Sequence, residues 1–92
     1  MRIRTVSANN RKRAFEVTLP ARSLSFPYAK AVPPPSAKDK VVRVFVDREA
    51  GRAAFTYTLQ SGMEGTIHVE QVLEYNKDPD YLRDRLLYQI DA

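Results

Sequence analysis

The feature that most constrains the fold is a strict alternation of apolar and polar residues between positions 53 and 69. The apolar members of this alternation are Phe55, Tyr57, Leu59, Ile67 and Val69. A period of two residues is typical of a strand that buries one face. The intervening Gln60-Ser61-Gly62 segment supplies residues that favour a tight turn. The stretch therefore predicts two antiparallel strands that turn the same apolar face toward the core.

Four earlier segments carry related patterns and predict further strands, at residues 2–7, 14–19, 23–28 and 41–47. Pro27 has no N–H to donate, so we expect the third of these strands to lie at a sheet edge or to end at Pro27. The fourth is apolar on both faces, with Val42, Val44 and Val46 on one of them, which favours the middle of a sheet or a place beneath a helix. The two successive meanders predict a bent, mostly antiparallel sheet or small open barrel of five to six strands.

The remaining segments predict one connector and two C-terminal helices, which makes the chain a single α+β domain over residues 1–92. Residues 29–40 contain three consecutive prolines and indicate a stiff connector between the meanders. From Val69 onward the apolar period lengthens, which predicts a short helix over residues 70–76. Asp78 as N-cap and Pro79 at the first helical position begin a second helix over residues 79–91.

The second predicted helix is more apolar than packing on one sheet requires. Its inner stripe is Leu82, Leu86 and Ile90, and three further apolar residues lie off that stripe: Tyr81, Leu87 and Tyr88. No glycine or cationic last turn ends the helix. Either a second copy of the chain covers it or it begins a longer element, so Tyr81, Leu87 and Tyr88 are the expected protein interface.

Charge divides the chain into a basic and an acidic half. Residues 1–40 contain nine Lys/Arg and two acidic residues, whereas residues 41–92 contain six Lys/Arg and nine acidic residues. A division of this kind indicates an anionic partner for the basic half, association between the two halves, or a solvated basic surface. The candidate nucleic-acid contacts in the basic half are Arg2, Arg4, Arg11, Lys12 and Arg13.

The residue types that carry enzyme or metal chemistry form no recognisable set, so we expect no enzyme, cofactor or metal. Cysteine is absent, and the single His68 lies between two inward positions and should face away from the core. Glu70 and Glu74 share a helix face, which is more often solvated than catalytic. No apolar run is long enough for a membrane span and no signal peptide is predicted, so we expect a cytoplasmic protein without a membrane partner.

Several segments resemble the N-terminal region of uncharacterised bacterial proteins in which a lambda-repressor-like, XRE-type helix-turn-helix follows. The matching segments are the Asn10–Thr18 run, Phe26-Pro27-Tyr28-Ala29-Lys30, Gly62-x-Glu64-Gly65 and above all His68–Asp84. The likeness spans nearly the whole chain. It implies no catalytic residues, and it implies a neighbouring DNA-reading module that this sequence does not contain, as in a truncated chain or a natural short form.

The leading functional expectation is a non-catalytic regulatory or interaction domain of a bacterial transcription-regulator-like protein. Its last helix would mediate self-association or dock a further C-terminal domain. The alternative from a different class is direct electrostatic binding of nucleic acid through the basic N-terminal hairpin. A third is a small stand-alone protein inhibitor.

Overall fold

The computed structural model describes residues 2–77, which form a mostly antiparallel α+β fold with strands β1–β6 and helix α1. The elements are β1 Thr5–Asn9, β2 Ala14–Thr18, β3 Ser23–Pro27, β4 Val41–Val46, β5 Ala54–Leu59, β6 Glu64–His68 and α1 Val69–Tyr75. The α+β class and the antiparallel pairing are confirmed. The predicted second helix at residues 79–91 lies outside the described residues.

The strands form two sheets rather than the single five- to six-stranded sheet or barrel predicted from the sequence, so that expectation is wrong. Both sheets are antiparallel meanders, with orders β1-β2-β3 and β4-β5-β6. Residues 28–40 separate β3 from β4 and begin with a one-turn 3-10 helix at Tyr28–Lys30. The three prolines of the connector remove N–H donors that a continuous ladder needs. β1 lies beside β4, but the sheets are joined there by a loop contact, in which the N–H of Ile3 donates to the carbonyl of Arg52 at 2.7 Å.

A cluster of aromatic rings joins the two sheets into one core. Phe15, on the central strand of the first sheet, is fully buried. Its ring centroid lies 4.8 Å from that of Tyr28, 5.1 Å from that of Phe55 and 4.9 Å from that of Tyr57. Phe55 and Tyr57 come from β5, the central strand of the second sheet. The alternation that predicted the strands therefore also selected the side chains that hold the sheets together.

Gly65 gives Tyr57 its place across the second sheet. A Cβ atom at position 65 would overlap the Tyr57 ring and hydroxyl, so no other residue fits there without displacing the ring. The Tyr57 hydroxyl reaches past this point and donates a hydrogen bond of 2.6 Å to the carbonyl of Pro33. The central strand of the second sheet thus holds the connector directly.

β4 lies at the edge of its sheet, so the first of the two predicted placements, the middle of a sheet, is wrong. A bulge between Val41 and Arg43 inserts one residue into the strand. Val42 is the residue without a register partner and is 60% exposed, whereas Val44 packs against the core. The prediction that Val42, Val44 and Val46 share one face is therefore wrong for Val42.

Helix α1 begins one residue earlier than predicted and is fastened at both ends. The N–H of His68 donates to the side-chain carbonyl of Gln71, which closes half of a capping box. At the other end the side-chain amide of Asn76 donates to the carbonyl of Ser25 on β3 at 2.8 Å. The helix therefore bridges the end of β6 to the edge of the first sheet.

Candidate functional site

The turn between β1 and β2 projects the densest cationic run of the chain into solvent. The side-chain carbonyl of Asn9 accepts hydrogen bonds from the N–H groups of Arg11 and Lys12, both at 3.1 Å. Arg13 then adopts a left-handed conformation with φ 56°, and its carbonyl accepts the N–H of Tyr28 at 2.9 Å. This backbone fixes the turn and leaves the side chains of Arg11, Lys12 and Arg13 exposed.

Arg11 and Arg13 face the proline-rich connector across a cleft of about 400 Å³. The hairpin and β3 side of the cleft is formed by Asn10, Arg11, Arg13 and Tyr28, and the connector side by Pro35, Ser36, Ala37 and Lys40. The cleft thus brings together residues almost thirty positions apart in the sequence. Among residues 2–77, the cations that line it are Arg11, Arg13 and Lys40, and no carboxylate does.

The cations of the cleft are not neutralised within the part of the chain that the structure describes. Over residues 2–77, no carboxylate oxygen lies within 4.0 Å of the cationic nitrogens of Arg11, Arg13 or Lys40. Lys12 differs, because its ammonium lies 3.9 Å from a Glu16 carboxylate oxygen in an exposed pair. Three converging positive charges without a nearby counter-charge favour the binding of an anion.

A buried tyrosine sets the polarity of the Asn10 side chain. The Tyr28 hydroxyl donates a 2.8 Å hydrogen bond to the amide oxygen of Asn10. Burial raises the pKa of Tyr28, so the phenol keeps its proton and remains a donor. Because the Asn10 oxygen accepts this hydrogen bond, the amide is oriented with its NH₂ group away from Tyr28, and that group can donate to a ligand.

The connector wall of the cleft is fixed to the second sheet. The N–H of Lys40 donates to the side-chain carbonyl of Gln60 at 3.1 Å, and the N–H of Gln60 donates back to the carbonyl of Lys40 at 2.9 Å. Asp39 accepts hydrogen bonds from the N–H and the hydroxyl of Ser61 at 2.8 and 2.7 Å. The backbone at position 40 is therefore placed by the β5–β6 turn.

A second cleft of about 480 Å³ continues from the first on its Tyr28 side. The two share Arg13, Tyr28, Pro35 and Ser36, and the second adds Pro27, Ala29 and Pro34. Its added lining is apolar. The two clefts together present a cationic space next to an apolar one.

The structure divides the five cations predicted to contact nucleic acid. Arg11, Lys12 and Arg13 lie in the β1–β2 turn, whereas Arg2 and Arg4 lie just before Thr5, the first residue of β1. Five strand residues separate the groups, which corresponds to about 17 Å. The third cation that lines the cleft is Lys40, which was not predicted from the sequence. The one sequence signal for it is its position after the proline-rich segment.

The other predicted sites give no competing chemistry. Tyr81, Leu87 and Tyr88 lie outside the described residues. His68 is exposed, as predicted, and pairs with Ala54 in the ladder. Over residues 2–77, no three His, Asp or Glu side chains cluster as a metal site would require. Within the same range, no helix combines the length and the apolar character needed to cross a bilayer.

Comparison with known proteins gives no match: no family model, curated protein or solved structure corresponds to this chain.

Proposed function

We propose that this chain is a non-catalytic nucleic-acid-binding domain that holds strand phosphates at the cleft between the β1–β2 turn and the connector. The observation that carries the proposal is that Arg11, Arg13 and Lys40 line one cleft that no carboxylate of residues 2–77 lines. Arginine pairs well with phosphate because its planar guanidinium donates two parallel hydrogen bonds to two oxygens.

The composition of the cleft favours the backbone of the nucleic acid over its bases. Backbone phosphates supply most of the affinity of sequence-independent binding. The large aromatic side chains near the cleft are engaged in the core: Phe15 and Phe26 are buried, and Tyr28 is 5% exposed. They cannot serve as stacking platforms, so we expect weak dependence on base sequence.

The test is fluorescence anisotropy of a labelled single-stranded oligonucleotide over a salt series. Affinity should fall with salt, and the slope of log K against log[salt] changes by about 0.7 for each phosphate that the protein no longer neutralises. The Arg11→Gln/Arg13→Gln double variant should lower the affinity at least tenfold and flatten the slope by about 1.4.

The matched control is Arg2→Gln/Arg4→Gln, which removes the same charge at the other end of β1. It should retain most of the affinity and of the salt dependence. Equal losses of affinity in the two double variants would show that binding depends on the overall positive charge of the protein and not on the cleft. Absence of binding at low salt would rule out the proposed function.

A second function, protein docking through the end of the chain, is favoured by the anchoring of α1. Asn76 fixes the helix end to Ser25, and Tyr75 lies edge-on to Phe26 with a centroid separation of 5.8 Å. The chain that follows therefore starts from a defined position beside the first sheet. In this proposal the domain belongs to a transcription-regulator-like protein, and Tyr81, Leu87 and Tyr88 form the contact.

Sedimentation velocity separates this second function from the first. Self-association that the Tyr88→Glu variant abolishes supports docking by the last helix. A strict monomer at high concentration, unchanged in Tyr88→Glu, contradicts self-association through that surface.

A further inference from the structure

We infer that the cationic cleft takes the terminal phosphate of a nucleic-acid strand, a phosphomonoester, and that the adjoining apolar cleft takes the nucleoside attached to it. This inference rests on the proposed function and narrows it from strand phosphates in general to a strand end.

Charge favours a monoester over a diester. A phosphate inside a strand carries one negative charge, whereas a phosphomonoester carries about −1.5 to −2 at neutral pH. Arg11, Arg13 and Lys40 place three positive charges around a single space of about 400 Å³. A dianion offsets more of the mutual repulsion among these cations than a monoanion does.

The hydrogen-bonding groups of the cleft also suit the three free oxygens of a monoester. Besides its cations, the cleft is lined by Asn10, whose amide oxygen accepts the Tyr28 hydrogen bond and whose NH₂ group can donate, and by Ser36 with its hydroxyl. The backbone of Ser36 is fixed by paired hydrogen bonds to Asp39 at 3.0 and 3.1 Å. The lining thus supplies both charged and neutral donors for phosphate oxygens.

The shape of the two clefts suits a strand end. A phosphate within a strand bears a nucleoside on both sides, whereas a terminal phosphate bears one. The cationic cleft continues past Arg13 and Tyr28 into the apolar cleft of about 480 Å³. The rings of Pro27, which is half-buried, and Pro34, which is exposed, give that cleft an apolar lining against which a sugar or base can pack.

The experiment compares three versions of one short single-stranded oligonucleotide against the full chain by anisotropy. One version carries a 5′-phosphate, one a 3′-phosphate, and one hydroxyls at both ends, with an internal label in each. We expect one phosphorylated version to bind at least about tenfold tighter than the hydroxyl-ended one, since its terminal phosphate adds negative charge and charge-assisted hydrogen bonds that a hydroxyl lacks. The end that gains identifies the polarity of the bound strand.

Two matched variants locate the effect. Lys40→Gln removes a cation of the cleft and should reduce the preference for a phosphorylated end to about threefold or less. Lys38→Gln removes the same charge two positions away on the same connector, outside the cleft lining, and should leave the preference intact. A mononucleotide should compete only weakly, because it lacks the contacts of the following strand.

The possible results distinguish the terminal-phosphate site from nucleic-acid binding in general. Equal binding of all three oligonucleotides, with Lys40→Gln no worse than Lys38→Gln, overturns the terminal-phosphate site and leaves the nucleic-acid function standing. Absence of binding to every oligonucleotide overturns both. Binding of the mononucleotide without any oligonucleotide also overturns both and assigns the cleft to a free nucleotide.

Discussion

The loops of the β1–β2 and β4–β5 hairpins are built in the same way but use their arginines differently. In the first, the Asn9 side chain accepts the N–H groups two and three residues ahead, and in the second Asp47 accepts those of Glu49 and Ala50 at 2.9 and 3.2 Å. Each loop also places an arginine in a left-handed conformation near its end, Arg13 with φ 56° and Arg52 with φ 62°.

The difference lies in what each arginine contacts. The Arg52 guanidinium donates to the carbonyl of Ile3 at 3.1 Å and to that of Arg4 at 2.6 Å, so its donors hold the N-terminal segment on the second sheet. Arg13 lines the cleft with no carboxylate near it among residues 2–77. Local turn chemistry therefore does not reveal whether an arginine is structural or available to a ligand; its long-range partners do.

The sharpest test of this comparison is the pair Arg52→Ala and Arg13→Ala. Arg52→Ala removes two charge-assisted hydrogen bonds to carbonyls, and we expect the free energy of unfolding to fall by about 2–3 kcal/mol in urea denaturation. Arg13→Ala, at the equivalent loop position, should change it by no more than about 0.5 kcal/mol. Similar losses in the two variants would remove the distinction between them.

The acceptors that begin the two loops provide the second test. Asp47→Ala leaves two N–H groups without their acceptor and should lower the free energy of unfolding by about 1–2 kcal/mol. Asn9→Ala should cost about 1 kcal/mol, because its acceptor is neutral. Thermal denaturation monitored by circular dichroism measures both, and a larger loss in Asn9→Ala would show that charge on the acceptor is unimportant here.

Asn9→Asp makes the first loop resemble the second and tests the role of its charge. The new carboxylate can still accept the N–H groups of Arg11 and Lys12. It loses the 3.4 Å hydrogen bond that the Asn9 NH₂ group donates to Glu16 and puts a second negative charge beside that carboxylate, so the free energy of unfolding should fall slightly. The added negative charge repels the phosphates of a bound strand, and we expect oligonucleotide affinity to fall about fivefold, or about 1 kcal/mol. Asp47→Asn is the matched change in the other loop and should leave the affinity unaltered.

Arg13→Gly should change the stability as little as Arg13→Ala does and, unlike the other variants, should increase it. A non-glycine residue in the left-handed region costs about 1–2 kcal/mol, and the extra flexibility of glycine in the unfolded chain offsets about 0.5–1 kcal/mol of that relief. We expect a gain of about 0.5 kcal/mol together with weaker oligonucleotide binding. A stability loss would mean that the Arg13 side chain has a structural contact of its own.

The sequence placed most strands closely because their signal is local, but the first, predicted at residues 2–7 from a loose alternation, spans Thr5–Asn9. The alternation of Phe55, Tyr57 and Leu59 specifies both a strand and its buried face, and Pro27 correctly indicated an edge. The bulge at Val42 was not predictable in this way, since inserting one residue into a strand depends on the partner strand and leaves the apolar run unchanged. The division into two sheets likewise depends on how the connector crosses the core.

The candidate site was predictable only on its hairpin side. Arg11, Lys12 and Arg13 are adjacent in sequence, so their proximity was evident, but the pairing of Lys12 with Glu16 was not singled out. Lys40 entered the site through backbone contacts with Gln60, twenty residues away, and no periodic pattern encodes such a contact. The sequence likewise placed Arg2 and Arg4 in the same patch because it gives no measure of the length of β1.

The fastening of Lys40 to Gln60 has a thermodynamic consequence. One wall of the cleft belongs to the first sheet and the other is held by the second, so a ligand that contacts both Arg13 and Lys40 binds only when the sheets are docked. Such a ligand acts as a reversible crosslink: at a free concentration one hundred times its Kd it adds about 2.7 kcal/mol to the free energy of unfolding. Occupancy of this small surface cleft would therefore slow amide hydrogen exchange throughout both sheets, far from any atom that touches the ligand.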